Sequence, residues 1–262
     1  MSDVIVEERA DALWLRLNRP DRKNAYDPPM CRELIDAIRA AGESSVTAIV
    51  ITGSGDSFCA GGFLGKLANP DPMQLRTMFF GSLELFEAIR NAPQPVIAAV
   101  NGVAAGGGNE LIVACDLAIA VESASMGQTG VRIGSAPVLG GTNMLAMSIG
   151  EKRAKEVAFL CRRYSAAEAC SLGWLNRVVG DDELEAEVDL LVAELSQMSP
   201  RYLEIAKLSS NVWWNSIRDN YVSGLGMLVQ AIGSADMIEG ASAFMEKRTP
   251  QFPRRGHGPV TR

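Results

Sequence analysis

The run Val96-Ile97-Ala98-Ala99-Val100-Asn101-Gly102-Val103-Ala104-Ala105-Gly106-Gly107-Gly108-Asn109-Glu110-Leu111 constrains the fold more than any other part of the chain. Its apolar opening, residues 96–100, reads as a buried strand. The glycine triplet then lets the backbone turn sharply and approach a ligand, and a helix follows to about Ala114. The first N–H groups of that helix have no intrahelical partner and lie at the positive end of its dipole. Negative charge is stabilised there, and Glu110 follows within one turn. Amides beside a carboxylate suit a reaction that passes through an oxyanion or an enolate. A tight strand–helix connection whose glycines serve only packing has the same local sequence.

The rest of the chain repeats this alternation. Residues 4–8 and 12–17 have the period of two strands joined at Ala10-Asp11, and a polar loop runs from Asn18 to Ala25. Asp27-Pro28-Pro29 starts a helix that reaches about Ala41 with Leu34, Ile35 and Ile38 on one face. A buried strand at 48–52 leads to a second glycine turn, Ser57-Phe58-Cys59-Ala60-Gly61-Gly62, with Phe63 and Leu64 next in line. A helix at 73–91 and a strand at 117–120 complete the pattern. Strands alternating with helices imply crossover units and mainly parallel pairing. Two glycine turns in separate units can then face each other across a crevice at the strand ends. From Gly127 to Gly141 the chain is a glycine-rich loop, after which helical periodicity dominates: a capping box at Ser165-Ala166-Ala167-Glu168, then 181–196, 200–209, 216–232 and 236–247. The division expected is an α/β core over residues 1–190 and a helical region over 191–262.

Counts of a few residue types narrow the chemistry. The only histidine, His257, lies in a polar tail, which excludes a Ser-His-Asp or Cys-His relay and a His-rich metal site. Acid–base work falls to carboxylates, tyrosines, lysines or water. Five cysteines without a CxxC pair read as reduced core thiols. A net charge of −6 without a basic run argues against nucleic acid as a partner. No apolar run has the length of a membrane span and no signal peptide is visible, so the expected location is cytoplasmic.

Taken in order, these motifs resemble the crotonase (enoyl-CoA hydratase/isomerase) superfamily over nearly the whole chain. Asn18-Arg19-Pro20 through Asn24-Ala25 is similar to its N-terminal CoA loop. Phe58-Cys59-Ala60-Gly61-Gly62 and the 95–111 stretch resemble its two oxyanion turns. Gly173-Trp174-Leu175-Asn176-Arg177 and the ending Phe244-Met245-Glu246-Lys247-Arg248 are also typical. The resemblance implies a crotonase-like α/β spiral of ββα units with a C-terminal helical region that supports a homotrimer or a dimer of trimers. It implies an acyl-CoA thioester as substrate, with coenzyme A part of that substrate and no permanently bound cofactor. Gly62 and Gly107 are the expected oxyanion amides, and Glu110 the acid/base. Asn24, Ala25, Ala60, Phe63, Leu64, Gly130, Ser135, Phe244 and Lys247 join Gly62 and Gly107 as expected contacts to the acyl chain or to CoA. Lys247 reads equally well as a cation favoured by a helix end, and Phe63 as a core aromatic.

The chain departs from the family's hydratase pattern at one position. Those enzymes use two glutamates, and the second falls at Gly130, where no carboxylate stands. Gly127-Gln128-Thr129-Gly130 with Gly134-Ser135 instead resembles the 1,4-dihydroxy-2-naphthoyl-CoA synthase and 2-ketocyclohexanecarboxyl-CoA hydrolase branch, although Pro137 replaces the aspartate of that branch. The first expectation is enolate chemistry of hydratase or isomerase type with Glu110 transferring protons. The alternatives are ring opening or closing by C–C chemistry on a cyclic β-oxoacyl-CoA, and a paralogue that binds acyl-CoA without turnover. Ser135, Asn143 and Tyr221 are polar side chains that could assist.

Overall fold

The computed structural model describes residues 2–62 and 71–252. Strands β1 (Val4–Arg9) and β2 (Ala12–Leu17) pair antiparallel across a two-residue turn. Ala10 and Asp11 take left-handed angles there, φ 49° and 60°, the twist a two-residue hairpin requires. The polar loop and helix α1 (Pro28–Ala41) follow. Asp27 caps α1 by accepting from Met30 N at 3.2 Å, and the stripe Met30, Leu34, Ile35, Ile38 and Ala41 is buried. Each large side chain so buried contributes about 1.5–3 kcal/mol.

From here the chain climbs as a spiral, laying one strand in each of two sheets per turn. The strands come as β3 (Ala48–Gly53) then β4 (Ser57–Cys59), β5 (Val96–Val100) then β6 (Val103–Ala105), and β7 (Leu117–Val121) then β8 (Ser125–Gly127). Helix α2 (Pro72–Asn91) follows the first pair and α3 (Gly107–Ala114) the second, giving the ββα units that the resemblance implies. After β8 come α4 (Met144–Ile149), α5 (Glu151–Leu160), β9 (Tyr164–Ser165), α6 (Ala166–Ser171) and β10 (Arg177–Val179). The main sheet runs β1-β2-β3-β5-β7-β10, parallel throughout beyond the hairpin, and the smaller one β4-β6-β8-β9.

The second sheet corrects the sequence reading. Strand β5 does not lead straight into the glycine turn, because β6 stands between them. The strands β4, β6, β8, β9 and β10 are only two or three residues long, too short for an alternation pattern to register. Pairing of β4 with β6, through Ser57↔Val103 and Cys59↔Ala104, brings the two glycine turns side by side at their carboxyl ends.

The remaining helices are α7 (Leu184–Leu195), α8 (Pro200–Ser210), α9 (Val212–Gln230) and α10 (Ala235–Met245). Helix α9 begins at Val212, earlier than the periodicity suggests, because Trp214 turns inward onto Tyr221 while Trp213 stays exposed. The expected capping box at Ser165 and Glu168 is present. Lys207 of α8 is buried, pairs with Asp116 at 2.8 Å, and donates to the Ile89 and Gln94 carbonyls at 2.8 Å each. That one ammonium ties the helical region to the end of α2 and the start of β5. All five cysteines are unpaired. Among the described residues, no helix is long and apolar enough to cross a membrane and no group of His, Cys, Asp or Glu could hold a metal.

Candidate active site

Gly61 and Gly107 touch. A β-carbon on Gly61 would lie 2.7 Å from the Gly107 nitrogen, and Gly61 takes a left-handed φ of 89°, so only glycine fits the contact. Gly62 forms a bridge with Tyr26, whose N–H donates to the Gly61 carbonyl at 2.9 Å. Cys59 fixes the turn from behind: its thiol donates to the Asn24 carbonyl at 3.2 Å and its sulfur accepts from Gly61 N at 3.3 Å. Burial pushes that thiol up to about 12, so it serves as a neutral hydrogen-bonding group rather than as a nucleophile. Gly107 opens α3, where its N–H has no intrahelical acceptor.

A cavity of about 80 Å³ lies over these turns, lined by Tyr26, Ala60, Gly62, Gly107 and Glu110 together with residues of α2, the Gln128–Leu139 segment and α9. Glu110 is the one carboxylate among its described lining residues, 5% exposed, with Oε1 accepting from Gly141 N at 3.1 Å. Burial raises its carboxyl from the usual 4.5 to about 8, against the lowering effect of hydrogen bonds from the Gly141 and Leu139 backbone. Near neutrality Glu110 therefore holds or gives up a proton readily. Much of the rest of the lining is an apolar wall, with Met78, Phe79, Ile133, Leu139 and Leu228.

Of the residues expected from sequence, Ala60, Gly62, Gly107, Glu110, Gly130 and Ser135 line this cavity. Phe63 and Leu64 lie outside the described residues, as does His257. Asn24 and Ala25 are buried beneath the site rather than in it. The Asn24 amide donates to the Ser54 and Ser57 carbonyls at 2.9 and 2.7 Å and its oxygen accepts from Arg19 N at 3.0 Å, so this side chain is spent on holding the loop. Phe244 and Lys247 sit at the exposed end of α10, outside the cavity lining. Asn143 caps α4, accepting from Met144 N at 2.7 Å. Tyr221 is fully buried against Trp214 and does not line the cavity.

A β-carbon at Gly130 would be tightly placed, within 3.2 Å of the Ala136 backbone. Sequence reasoning missed Tyr26, Ser82 and the apolar wall. For Tyr26 the signal available was its place directly after Asn24-Ala25; for Ser82, Met78 and Phe79 there was none beyond a helical face.

The family model described as enoyl-CoA hydratase/isomerase matches residues 7–255. An enoyl-CoA hydratase from Mycobacterium avium subsp. paratuberculosis K-10 is 30% identical, with a TM-score of 0.87 over 97% of this chain and 99% of that one. An enoyl-CoA hydratase from Bacillus anthracis is 32% identical, with a TM-score of 0.79 over 96% and 99%. A carnitinyl-CoA hydratase from Mycobacterium avium is 29% identical, with a TM-score of 0.83 over 95% and 98%. With its spiral of ββα units, its adjoining glycine turns and a match that spans nearly its whole length, the chain belongs to the enoyl-CoA hydratase/isomerase family.

Proposed function

We propose that this acyl-CoA enzyme moves a proton along an unsaturated acyl thioester, shifting its double bond into conjugation through an enolate. The observation that carries the reading is a buried carboxylate, Glu110, the one among the described lining residues of a cavity bounded by the Gly62 and Gly107 turns. In this reading the two amides hold the thioester oxygen, each worth about 3–4 kcal/mol to the enolate. The Glu110 carboxylate takes a proton from the α-carbon, and the electron pair moves onto the thioester oxygen. The same carboxyl, now neutral, returns the proton to the γ-carbon, and the double bond closes between the α- and β-carbons. Proton and charge balance with no second carboxylate. Hydration, by contrast, has to activate water as well, and the family's second glutamate is Gly130 here. The apolar wall suits a hydrocarbon acyl chain. We also propose a homotrimer or a dimer of trimers, supported by the exposure of Tyr202, Trp213, Met227 and Phe244 on the C-terminal helices.

One observation favours a second reading, ring opening of a cyclic β-oxoacyl-CoA. Gln128 lines the cavity at 1% exposure, and neither amide atom has a hydrogen-bond partner. A β-oxygen would accept from Nε2. A panel of 3-enoyl, 2-enoyl and cyclic β-oxo CoA thioesters decides. The leading reading requires conjugated absorbance to grow from the 3-enoyl ester. Loss of conjugation from the 2-enoyl ester alone would make the enzyme a hydratase, and a new carboxylate from the cyclic ester would make it a hydrolase. Binding with no turnover of any ester would leave a paralogue without chemistry.

A further inference from the structure

Tyr26 has no role in the reading above, yet its hydroxyl reaches the centre of the site. Three features place it there. The Tyr26 Oη and Cζ are the nearest atoms to the position a β-carbon would take on Gly107, so the phenol tip lies against the second glycine turn. The Tyr26 backbone is bridged to Gly62, and its Cε2 lies 3.9 Å from where a Gly62 β-carbon would stand, so the same residue spans the first turn as well. Tyr26 also lines the cavity while only 2% exposed, which fixes its rotamer by packing rather than leaving it in solvent.

The neighbouring groups leave the phenol as a donor. Ser82, the hydroxyl hydrogen-bonded to the phenol, donates its own proton to the Met78 carbonyl at 2.9 Å, so the phenol donates to Ser82 Oγ and turns from it to reach an oxygen bound at the turns. Burial and the nearby Glu110 charge keep the phenol protonated across the working pH range. A neutral O–H held between two glycine turns cannot serve as a base, but it can donate to an oxygen bound there.

We propose that Tyr26 is a third hydrogen-bond donor to the thioester oxygen, completing with the Gly62 and Gly107 amides a three-donor cradle for the enolate. This rests on the oxyanion reading of the glycine turns. A third donor raises the polarisation of the bound carbonyl and acidifies the α-carbon further, which matters most in an enzyme with one proton-transfer carboxylate. The acyl carbon of the substrate must then present its oxygen to the floor of the cavity, leaving the chain to run along the apolar wall.

The test compares wild type, Tyr26→Phe and Tyr26→Leu, each bound to hexadienoyl-CoA labelled isotopically at the thioester carbonyl. Raman spectroscopy reads the carbonyl stretch, titration reads Kd, and turnover is followed with the substrate found in the panel above. Wild type shifts the carbonyl to lower frequency. Tyr26→Phe, which keeps the ring, loses a large part of that shift and drops kcat by about 100-fold with Kd changed less than threefold. Tyr26→Leu behaves the same if the hydroxyl carries the effect. A shift and kcat preserved in Tyr26→Phe, with loss only in Tyr26→Leu, would reduce Tyr26 to a packing residue and overturn the proposal while leaving the two-amide reading intact. A wild-type protein that shows no carbonyl shift removes the oxyanion reading itself, and Tyr26 with it.

Discussion

Replacing Glu110 by glutamine removes a charge without changing shape, and its effect on stability depends on pH in a way the structure fixes. The fold holds the carboxyl near 8 where the unfolded chain holds it near 4.5, so between those values the native state binds more proton than the unfolded state. Wild-type stability, relative to Glu110→Gln, is therefore undiminished below about pH 4.5. It falls as pH rises, by at most about 1.4 kcal/mol per pH unit, and levels off above about 8. The full shift corresponds to a ceiling of about 5 kcal/mol, from which water entering the cavity around the charged form subtracts. Urea unfolding of both proteins between pH 5 and 9 should give near-equal stability at the acid end. At the alkaline end Glu110→Gln should be the more stable by about 2–4 kcal/mol. Glutamine keeps an acceptor for Gly141 N, so the backbone contact survives the substitution. The same ionisation governs turnover. As the base that starts the reaction, Glu110 must be ionised, so kcat/KM of wild type should climb with pH and flatten above about 8. In Glu110→Gln turnover should fall about 100-fold or more, that limb should vanish, and CoA-ester binding should stay close to wild type. A stability difference that does not change with pH, or a mutant that keeps the alkaline limb, would refute both the raised carboxyl and its role.

Three further substitutions or treatments probe the frame around the site. Gly130→Glu should not confer hydratase activity on 2-enoyl esters and should lower the melting temperature, because the Ala136 backbone must give way to a β-carbon 3.2 Å from it; a scan with differential calorimetry and a hydration assay would show either result. Lys207→Met should cost about 3–5 kcal/mol in urea unfolding, since Asp116 and the Ile89 and Gln94 carbonyls lose a buried cation, while KM stays unchanged at a cavity Lys207 does not line. Under native conditions iodoacetamide followed by mass spectrometry should label Cys161 and Cys170 and spare Cys31, Cys59 and Cys115, whose thiols are buried and pushed up to about 12.

What the sequence makes legible is what it encodes locally. The glycine turn and Glu110 occupy consecutive positions of one strand–helix connection, so their chemistry can be read without knowing the fold. Gly62 becomes readable through the second such turn, and the hairpin, α1 and the capping box through short-range rules of spacing. The converse holds for residues that meet only in three dimensions. Tyr26, Ser82 and Leu228 come from the polar loop, α2 and α9, and nothing in their local sequence says that they share a cavity. The second sheet escapes for a different reason. Strands of two or three residues derive their order from ladder partners across the spiral, and not from any periodicity of their own. Asn24 is an intermediate case: its motif is visible, but that its amide clamps two carbonyls and a backbone N–H requires the fold.

The placement of Glu110 sets a demand on the hydrogen bonding of the structure around it. A carboxyl raised toward neutrality needs a dry environment, and a dry environment penalises every polar atom in it that lacks a partner. The first glycine turn meets this demand with the fully buried Cys59, whose thiol both donates and accepts. Behind it, Asn24 satisfies three backbone groups at once. Gly141 N and the Leu139 backbone meet the demand at Glu110 itself, with hydrogen bonds that position the carboxyl yet are too weak to offset burial. Had that carboxylate been paired with an arginine or lysine instead, its proton would be lost well below neutrality and it would be a weaker base toward the α-carbon. The absence of a cation from the cavity lining is thus as much a part of the acid–base chemistry as the carboxylate: among the described lining residues there is no lysine, arginine or histidine. Introducing one, for instance by Ser135→Lys, should draw the Glu110 carboxyl back toward its ordinary range, move the alkaline limb of kcat/KM to lower pH, and reduce turnover because a weaker base takes the α-proton more slowly. A limb that stays near 8 in that variant would mean that it does not report the Glu110 carboxyl.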